Sequence, residues 1–174
     1  VFDGKSLQTV PVNYENGAVN FYKECMKEGI KPIIGCEVYV APRNRMEKQA
    51  GIDDDYAHLI LLVKNKTGYQ NLIKLVSLSF TEGYYYKPRI DKEVLEKYHE
   101  GVIALSACLA GEVNQAIIQG HMEKAEEVAL WFKNLFGEDY YLELQNNGIK
   151  EQVLVNQKLI ELSKKLDISL VATN

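Results

Sequence analysis

The chain has 174 residues, of which 47% are hydrophobic and 25% are charged, which is the composition of an ordinary globular domain with a core of its own. Its 24 acidic and 20 basic residues give a formal net charge of −4. This balance gives no overall basic signal for nucleic-acid binding, although it leaves room for a local basic patch.

The sequence also carries no membrane or secretion signal that we can identify. No apolar run approaches the roughly 18 residues of a membrane span, and residues 1–16 lack a basic start followed by an apolar core. The three cysteines, Cys25, Cys36 and Cys108, are odd in number and widely spaced. That pattern argues against a disulfide scaffold and predicts a cytoplasmic location.

The first regular element is predicted to begin at Gly17, because residues 1–16 show no clear period. From there, apolar residues recur at helical spacing on one face. Gly29 is a reasonable end for this helix. The predicted apolar face consists of Ala18, Phe21, Tyr22, Cys25 and Met26.

A buried strand is predicted over residues 31–41, an apolar and β-branched run that one charged residue, Glu37, interrupts. An ionised carboxylate is rarely buried unless it has a partner or binds a metal. Glu37 therefore either pairs with a nearby basic residue, lies at an exposed strand end, or faces a site. Since strand side chains alternate, Cys36 points to the opposite face.

The rest of the chain alternates strands and helices. Further strands are predicted over 58–63, 101–106, 140–145 and 169–173, and helices over 67–80, 91–98, 111–119, 121–136 and 150–166. This alternation is typical of parallel α/β folds. No glycine-rich nucleotide-binding stretch is present, so a barrel is favoured, with its chemistry at the carboxyl ends of the strands. Because the chain ends on a strand, we expect an incomplete barrel.

Two polar or aromatic runs lie between these elements. Residues 53–55 are three consecutive aspartates, which we interpret as a solvated loop because the Ca²⁺-loop pattern is absent. Residues 84–86 are three consecutive tyrosines. Such a run either stacks nucleic-acid bases or, more commonly, packs a surface loop onto a core.

Three residues from different strand regions are candidate ligands of a divalent transition metal. Glu37 offers a carboxylate oxygen, His58 an imidazole nitrogen and Cys108 a thiolate sulfur. Each also has an ordinary explanation, since a single histidine is commonly a satisfied surface or core residue and a single cysteine a small buried one.

Several stretches, in order from Gly17 to Asn174, closely resemble the PHP domain (polymerase and histidinol phosphatase), in the version at the start of the alpha subunit of bacterial DNA polymerase III. The resemblance implies a distorted seven-unit β/α barrel, TIM-like and here partial, with up to three metal ions. It also implies that Glu37, His58 and Cys108 match three ligand positions of the family. The matching stretches are GAVNFYK at 17–23, GIKPIIGCEVYVA at 29–41, HLILL at 58–62, TGYQNL at 67–72, KPRID at 87–91, ALSACLAGE at 104–112 and LVATN at 170–174.

The chain departs from the family pattern in three places. The family's opening His-x-His motif has no counterpart, because no histidine precedes His58. Its Thr-Asp-His-Gly motif would fall at residues 10–13, which read Val-Pro-Val-Asn. Its Asp-x-His motif would follow Asn174. We therefore divide the chain into a start that does not resemble the family, residues 1–16, and a partial PHP domain, residues 17–174.

The resemblance implies a metal-dependent phosphoesterase that uses zinc or manganese. Acting on the end of a primer strand, such an enzyme would be a 3′–5′ proofreading exonuclease. Lys87 and Arg89 are candidate contacts to phosphate or DNA, or else ordinary loop charges. With most of the cluster missing, we expect the chain itself to be weak or inactive as a phosphoesterase.

The resemblance implies that this stretch is part of a Mg²⁺-dependent DNA-directed DNA polymerase, a nucleotidyltransferase of DNA replication. Its implied partners are DNA, a proofreading exonuclease subunit for which the domain would be a docking scaffold, and the rest of the replicase. The alternative is a free-standing PHP phosphatase acting on a small phosphoester.

Overall fold

The computed structural model describes residues 17–173, in which seven strands form one sheet and six helices accompany it. The strands are β1 Gly35–Val40, β2 Ala57–Val63, β3 Tyr84–Tyr85, β4 Lys87–Ile90, β5 Val102–Leu105, β6 Tyr140–Gln145 and β7 Ser169–Thr173. The helices are α1 Gly17–Lys27, α2 Lys66–Thr81, α3 Lys92–Tyr98, α4 Glu112–Ile118, α5 Met122–Phe136 and α6 Lys150–Leu166.

The sheet has the strand order β3-β4-β1-β2-β5-β6-β7 and is open within the described residues. Strand β1 pairs in parallel with β4, and β6 in parallel with both β5 and β7. An open sheet accompanied by helices is consistent with a partial TIM-like barrel, so the predicted fold class is confirmed.

The predicted all-parallel arrangement is wrong at β2, which runs antiparallel to both of its neighbours, β1 and β5. The cause lies in the connection between β1 and β2. Residues 41–56 form no helix, and a parallel pair of consecutive strands needs a long crossover that is usually helical. A connection without such a crossover lets the chain turn back beside β1.

The main core lies on the face of the sheet that packs against the helices. It includes Val38 and Val40 of β1, Leu59 and Leu61 of β2 and Leu142 of β6. The helices contribute the side chains that were predicted to face inward. These are Ala125, Val128, Phe132 and the partly buried Leu135 of α5, and Val155, Leu159 and Leu162 of α6. Burial of this face fixes which side chains of each strand point to the opposite face.

Two predicted features differ in the structure. The short strands β3 and β4 were not predicted, because four residues that include a proline do not give a strand pattern. Helix α1 forms as predicted, but none of its residues is buried by the described part of the chain. A periodic apolar face predicts a helix, yet it does not supply the element that covers it.

The predictions for residues 1–16, including the missing family motif at 10–13, lie outside the described residues. None of the helices in the described range has the length and apolarity needed to cross a membrane.

The connection over residues 42–56 is held onto the sheet by Arg89 of β4. The Arg89 side chain is fully buried, and its guanidinium donates hydrogen bonds to the backbone carbonyl oxygens of Gly83 (3.1 Å), Asp53 (2.9 Å) and Glu47 (2.9 Å). A further bond runs to the carbonyl of Arg45 at 3.3 Å. No surface of Arg89 is left for a phosphate, so we assign this residue to structure and not to the predicted DNA contact.

The aspartate run in the same connection is only partly solvated, contrary to prediction. Asp53 is buried and accepts two hydrogen bonds from the Arg43 guanidinium, at 2.9 Å and 2.6 Å. The hydrogen bond to Arg43 lowers the pKa of the Asp53 carboxyl, against the opposing effect of its desolvation. Asp53 is therefore a structural anchor of the connection, bonded to Arg43.

Replacing Arg89 by methionine is expected to lower the free energy of unfolding by about 3 kcal/mol or more, because several buried carbonyl oxygens lose a charged donor. The matched control is Lys87→Met, on the same short strand but exposed, with an expected change within about 0.5 kcal/mol. Urea unfolding measures both. Equal effects of the two substitutions would contradict the structural role of Arg89.

Candidate metal centre

The structure brings Glu37, His58 and Cys108 together. The candidate ligand atoms of the three side chains all lie within 4.8 Å of one another. The His58 Nδ1 atom is 3.2 Å from Glu37 Oε1 and 3.6 Å from Cys108 Sγ. The Glu37 side chain is 42% exposed and that of His58 22% exposed, so the cluster is reachable from solvent. Among residues 17–173, no other group of three acidic, histidine or cysteine side chains converges in this way.

The register between β1 and β2 places Glu37 beside His58. Tyr39 lies opposite His58 and Glu37 lies opposite Ile60 in this antiparallel pair. Because side chains alternate along a strand, Glu37 and His58 share one face as diagonal neighbours. Glu37 is half-exposed and lies on the face of the sheet away from the main core.

Cys36 lies next to Glu37 in sequence but does not take part in the cluster. Burial, and after it the negative charge of Glu37, raises the pKa of the Cys36 thiol. A thiol with a raised pKa is a poor metal ligand, because metals bind the thiolate. Cys36 is therefore a natural control for the role of Cys108.

Cys108 reaches His58 because the loop after β5 is tied to β2. The His58 amide donates a hydrogen bond to the carbonyl of Ala110 at 2.9 Å, and the Gly111 amide donates one to the carbonyl of Cys108 at 2.9 Å. These two bonds fold residues 106–111 back over the start of β2. The thiol is thereby held beside the imidazole by backbone geometry.

Asn114 and Gly111 fix the shape of this loop, and sequence reasoning missed both. The buried Asn114 amide donates hydrogen bonds to the carbonyls of Ala107 (3.1 Å) and Cys108 (2.6 Å). At Gly111, a Cβ atom would lie 2.0 Å from the Ser106 carbonyl oxygen, so no larger residue fits unless the loop moves. An asparagine in a helix just after the candidate ligand was the signal available in the sequence.

The His58 ring is held in place by two tyrosines that sequence reasoning also missed. Tyr39 meets it edge to face with 5.2 Å between ring centroids, and Tyr56 lies parallel to it at 6.0 Å. Such contacts restrict rotation of the imidazole and keep Nδ1 directed at Glu37 and Cys108. The site is preorganised at its histidine.

The two distances that His58 makes to the other donor atoms fit a tetrahedral metal ion, whereas the group as a whole spans up to 4.8 Å. Bonds of about 2.0 Å to nitrogen or oxygen and about 2.3 Å to sulfur, at tetrahedral angles, separate two such ligands by about 3.3 Å for nitrogen and oxygen and about 3.5 Å for nitrogen and sulfur. The distances of 3.2 Å and 3.6 Å at His58 Nδ1 agree with these values. The mixed oxygen, nitrogen and sulfur donors suit a borderline metal such as zinc.

Lys87, the other predicted phosphate contact, is exposed and lies near the cluster but not in it. Its Nζ atom is 5.8 Å from the centroid of the Tyr39 ring, on the side of Tyr39 next to β4. The lysine is thus free to meet an anion, and its contact to phosphate stays a prediction.

Comparison with known proteins gives consistent matches. The model of the PHP domain family matches residues 8–147. The DNA polymerase III subunit alpha of Borreliella burgdorferi is 51% identical over 159 residues, that of Treponema pallidum 49% over 160 residues, and that of Thermus aquaticus 46% over 160 residues. Each match covers 91% of this chain and 13–14% of the relative, so the chain spans about one seventh of the length of these proteins.

The substitution Gly111→Ala is expected to weaken zinc binding by about tenfold or more, because the added Cβ displaces the loop that carries Cys108. Competition with a chelator of known zinc affinity measures the effect. The control is Gly120→Ala, which strains a residue with φ of +77° but meets no atom within 4 Å. If both substitutions reduce affinity equally, loss of stability and not loop position explains the result.

Proposed function

The chain belongs to the PHP domain family, and from this premise we propose that Glu37, His58 and Cys108 bind one divalent transition metal ion, zinc or manganese, in a centre for phosphoester hydrolysis. The observation that carries the proposal is the convergence of a carboxylate oxygen, an imidazole nitrogen and a thiol sulfur from three separate strand regions. When bound, such an ion lowers the pKa of a water ligand and neutralises charge that develops on a phosphate.

The chain's own residues have distinct parts in this proposal. His58 binds through Nδ1 in its neutral form, held by Tyr39 and Tyr56. Cys108 binds as the thiolate, so loading releases a proton and strengthens as pH rises. Glu37, the most exposed of the three, lies on the side that faces solvent, and three protein ligands leave a coordination position open for a phosphoester or water.

We place this centre in a protein of DNA replication. The support is homology to the N-terminal region of bacterial DNA polymerase III alpha subunits at 43–51% identity. The proposed context is a Mg²⁺-dependent DNA polymerase that acts on DNA together with the other replicase subunits. In this polymerase, the domain would also be the docking scaffold for a proofreading exonuclease subunit. A free-standing phosphatase is the alternative, and the homology argues against it.

Three ligands hold one ion, and we expect one ion to give weak hydrolysis. A two-metal site stabilises both the attacking and the leaving oxygen, whereas a single ion stabilises one of them at a time. Among the described residues only one cluster of ligands is present. The chain as given is therefore expected to bind metal well and to cleave a primer end poorly.

Elemental analysis after extensive dialysis against trace zinc tests the binding. We expect about one equivalent of zinc in the unaltered chain and in Cys36→Ala, and almost none after Glu37→Ala with Cys108→Ala. Retention of metal by the double variant would exclude this cluster as the site, and loss of metal from Cys36→Ala would exclude the assigned thiolate.

Hydrolysis with added Mn²⁺ tests the substrate class. We expect slow release of nucleotides from the 3′ end of a labelled primer, and we expect Cys108→Ala to abolish it. Hydrolysis of p-nitrophenyl phosphate should be no faster than this release of nucleotides. Rapid release of nucleotides would contradict the single-ion limit. A marked preference for p-nitrophenyl phosphate would instead favour the free-standing phosphatase.

A further inference from the structure

We propose that four tyrosines beside the metal centre form a stacking surface for single-stranded nucleic acid that leads a strand end toward His58. These four residues, Tyr39, Tyr56, Tyr85 and Tyr86, are called the tyrosine track below. The inference rests on the proposed function, since it supplies the substrate of that same centre. It also gives a role to the run of tyrosines at 84–86.

The sheet register places the track and the metal centre on one face. Tyr85 lies opposite Lys87 in the β3–β4 hairpin, and in the next pair Arg89 lies opposite Tyr39, which itself lies opposite His58. Paired residues in neighbouring strands direct their side chains to the same face. The hairpin, β1 and the start of β2 therefore direct these side chains to one face, on which the buried Arg89 lies between Tyr85 and Tyr39.

Contacts along the tyrosine track are close at both ends. The Tyr85 and Tyr86 ring centroids are 4.6 Å apart, and those of Tyr39 and Tyr56 are 4.7 Å apart. Tyr56 in turn lies parallel to the His58 ring, with 2° between the planes. Between the two pairs lies Lys87, whose ammonium is 5.8 Å from the Tyr39 ring. An exposed cation thus lies beside the Tyr39 ring, where it can meet a phosphate of a strand whose bases stack on the tyrosines.

Tyr86 at the hairpin tip is the most informative member. Its side chain is 67% exposed, so the ring contributes little to the core. Its backbone φ of 55° lies in the left-handed region, which is unfavourable for a bulky residue. The ring gains one aromatic contact, with Tyr85, while most of its surface stays in solvent, and backbone outliers of this kind concentrate at functional sites.

Tyr85 anchors the tip from below. The Arg89 guanidinium lies 5.1 Å from its ring centroid. Desolvation, together with hydrogen bonds to Tyr86 and Asp54, raises the pKa of Tyr85 to about 12. The contact between the two rings, with 4.6 Å between their centroids, holds Tyr86 against Tyr85. Within the tyrosine run, Tyr85 is partly buried and supports the exposed ring of Tyr86.

The charge around the track selects the kind of nucleic acid. The chain has a net charge of −4, and the carboxylate of Asp54 lies beside Tyr85, so an extended duplex would meet repulsion. Stacking of bases on aromatic rings contributes about 1–3 kcal/mol per base and needs little net positive charge. A short single strand, bound mainly by stacking with one contact from Lys87, fits this surface best.

The test is fluorescence anisotropy of a short labelled oligothymidylate with the complete chain in the presence of EDTA, so that no metal ion contributes. Tyr86→Ala is expected to weaken binding by about fivefold or more, and Tyr86→Trp to preserve it. The control is Tyr84→Ala, since Tyr84 is also exposed, at 53%, but packs against Phe80 on the opposite face of the hairpin. Binding should decrease only slightly with salt, because one phosphate contact is expected.

Equal losses in the Tyr84 and Tyr86 variants, no measurable binding, or a steep salt dependence would each overturn the tyrosine track. A matched measurement separates this outcome from failure of the metal centre. Cys108→Ala should lose zinc and keep its affinity for the oligonucleotide, whereas Tyr86→Ala should lose affinity and keep its zinc. Loss of both properties in either variant would show that a shared defect in folding, and not the track, determines binding.

Discussion

The antiparallel register between β1 and β2 is the constraint on which the rest of the site depends. It places Tyr39 opposite His58 and so puts Glu37, His58 and the stacking tyrosines on one face. The register is enforced from the other face, where Val38 and Leu59 are buried under the helices. A slip by one residue would expose these apolar side chains and turn Glu37 into the core, so the hydrophobic effect that folds the sheet also positions the ligands.

The remaining parts of the site are attached to this pair of strands by hydrogen bonds of the backbone. The loop that carries Cys108 is bonded to the amide of His58, and the Asn114 amide holds its carbonyls. On the other side, Arg89 binds the connection that carries Tyr56. The side chains of Asn114 and Arg89 that make these attachments are buried, so they restrict the positions of the candidate ligands before any ion binds.

Local sequence patterns predicted those features of the fold and the site that depend only on residue type and spacing. The alternation of Glu37 with Cys36, five of the seven strands and the three candidate ligands follow from residue type and spacing, and the family resemblance united them. Burial of Arg89 and the antiparallel course of β2 could not be predicted, because both depend on where the connection over 42–56 packs. The lack of burial along α1 could not be predicted for the same reason. The periodicity of a helix identifies its own apolar face, but it does not identify the second surface that would pack against that face.

The most direct test of the account is X-ray absorption at the zinc edge of the zinc-loaded chain, since it counts the sulfur ligands. The proposed centre should show one sulfur atom at about 2.3 Å with nitrogen and oxygen atoms at about 2.0–2.1 Å, and the sulfur signal should be lost in Cys108→Ser but not in Cys36→Ser. A spectrum with no sulfur ligand, or one unchanged by Cys108→Ser, would show that the metal binds elsewhere and would contradict the assignment of the centre.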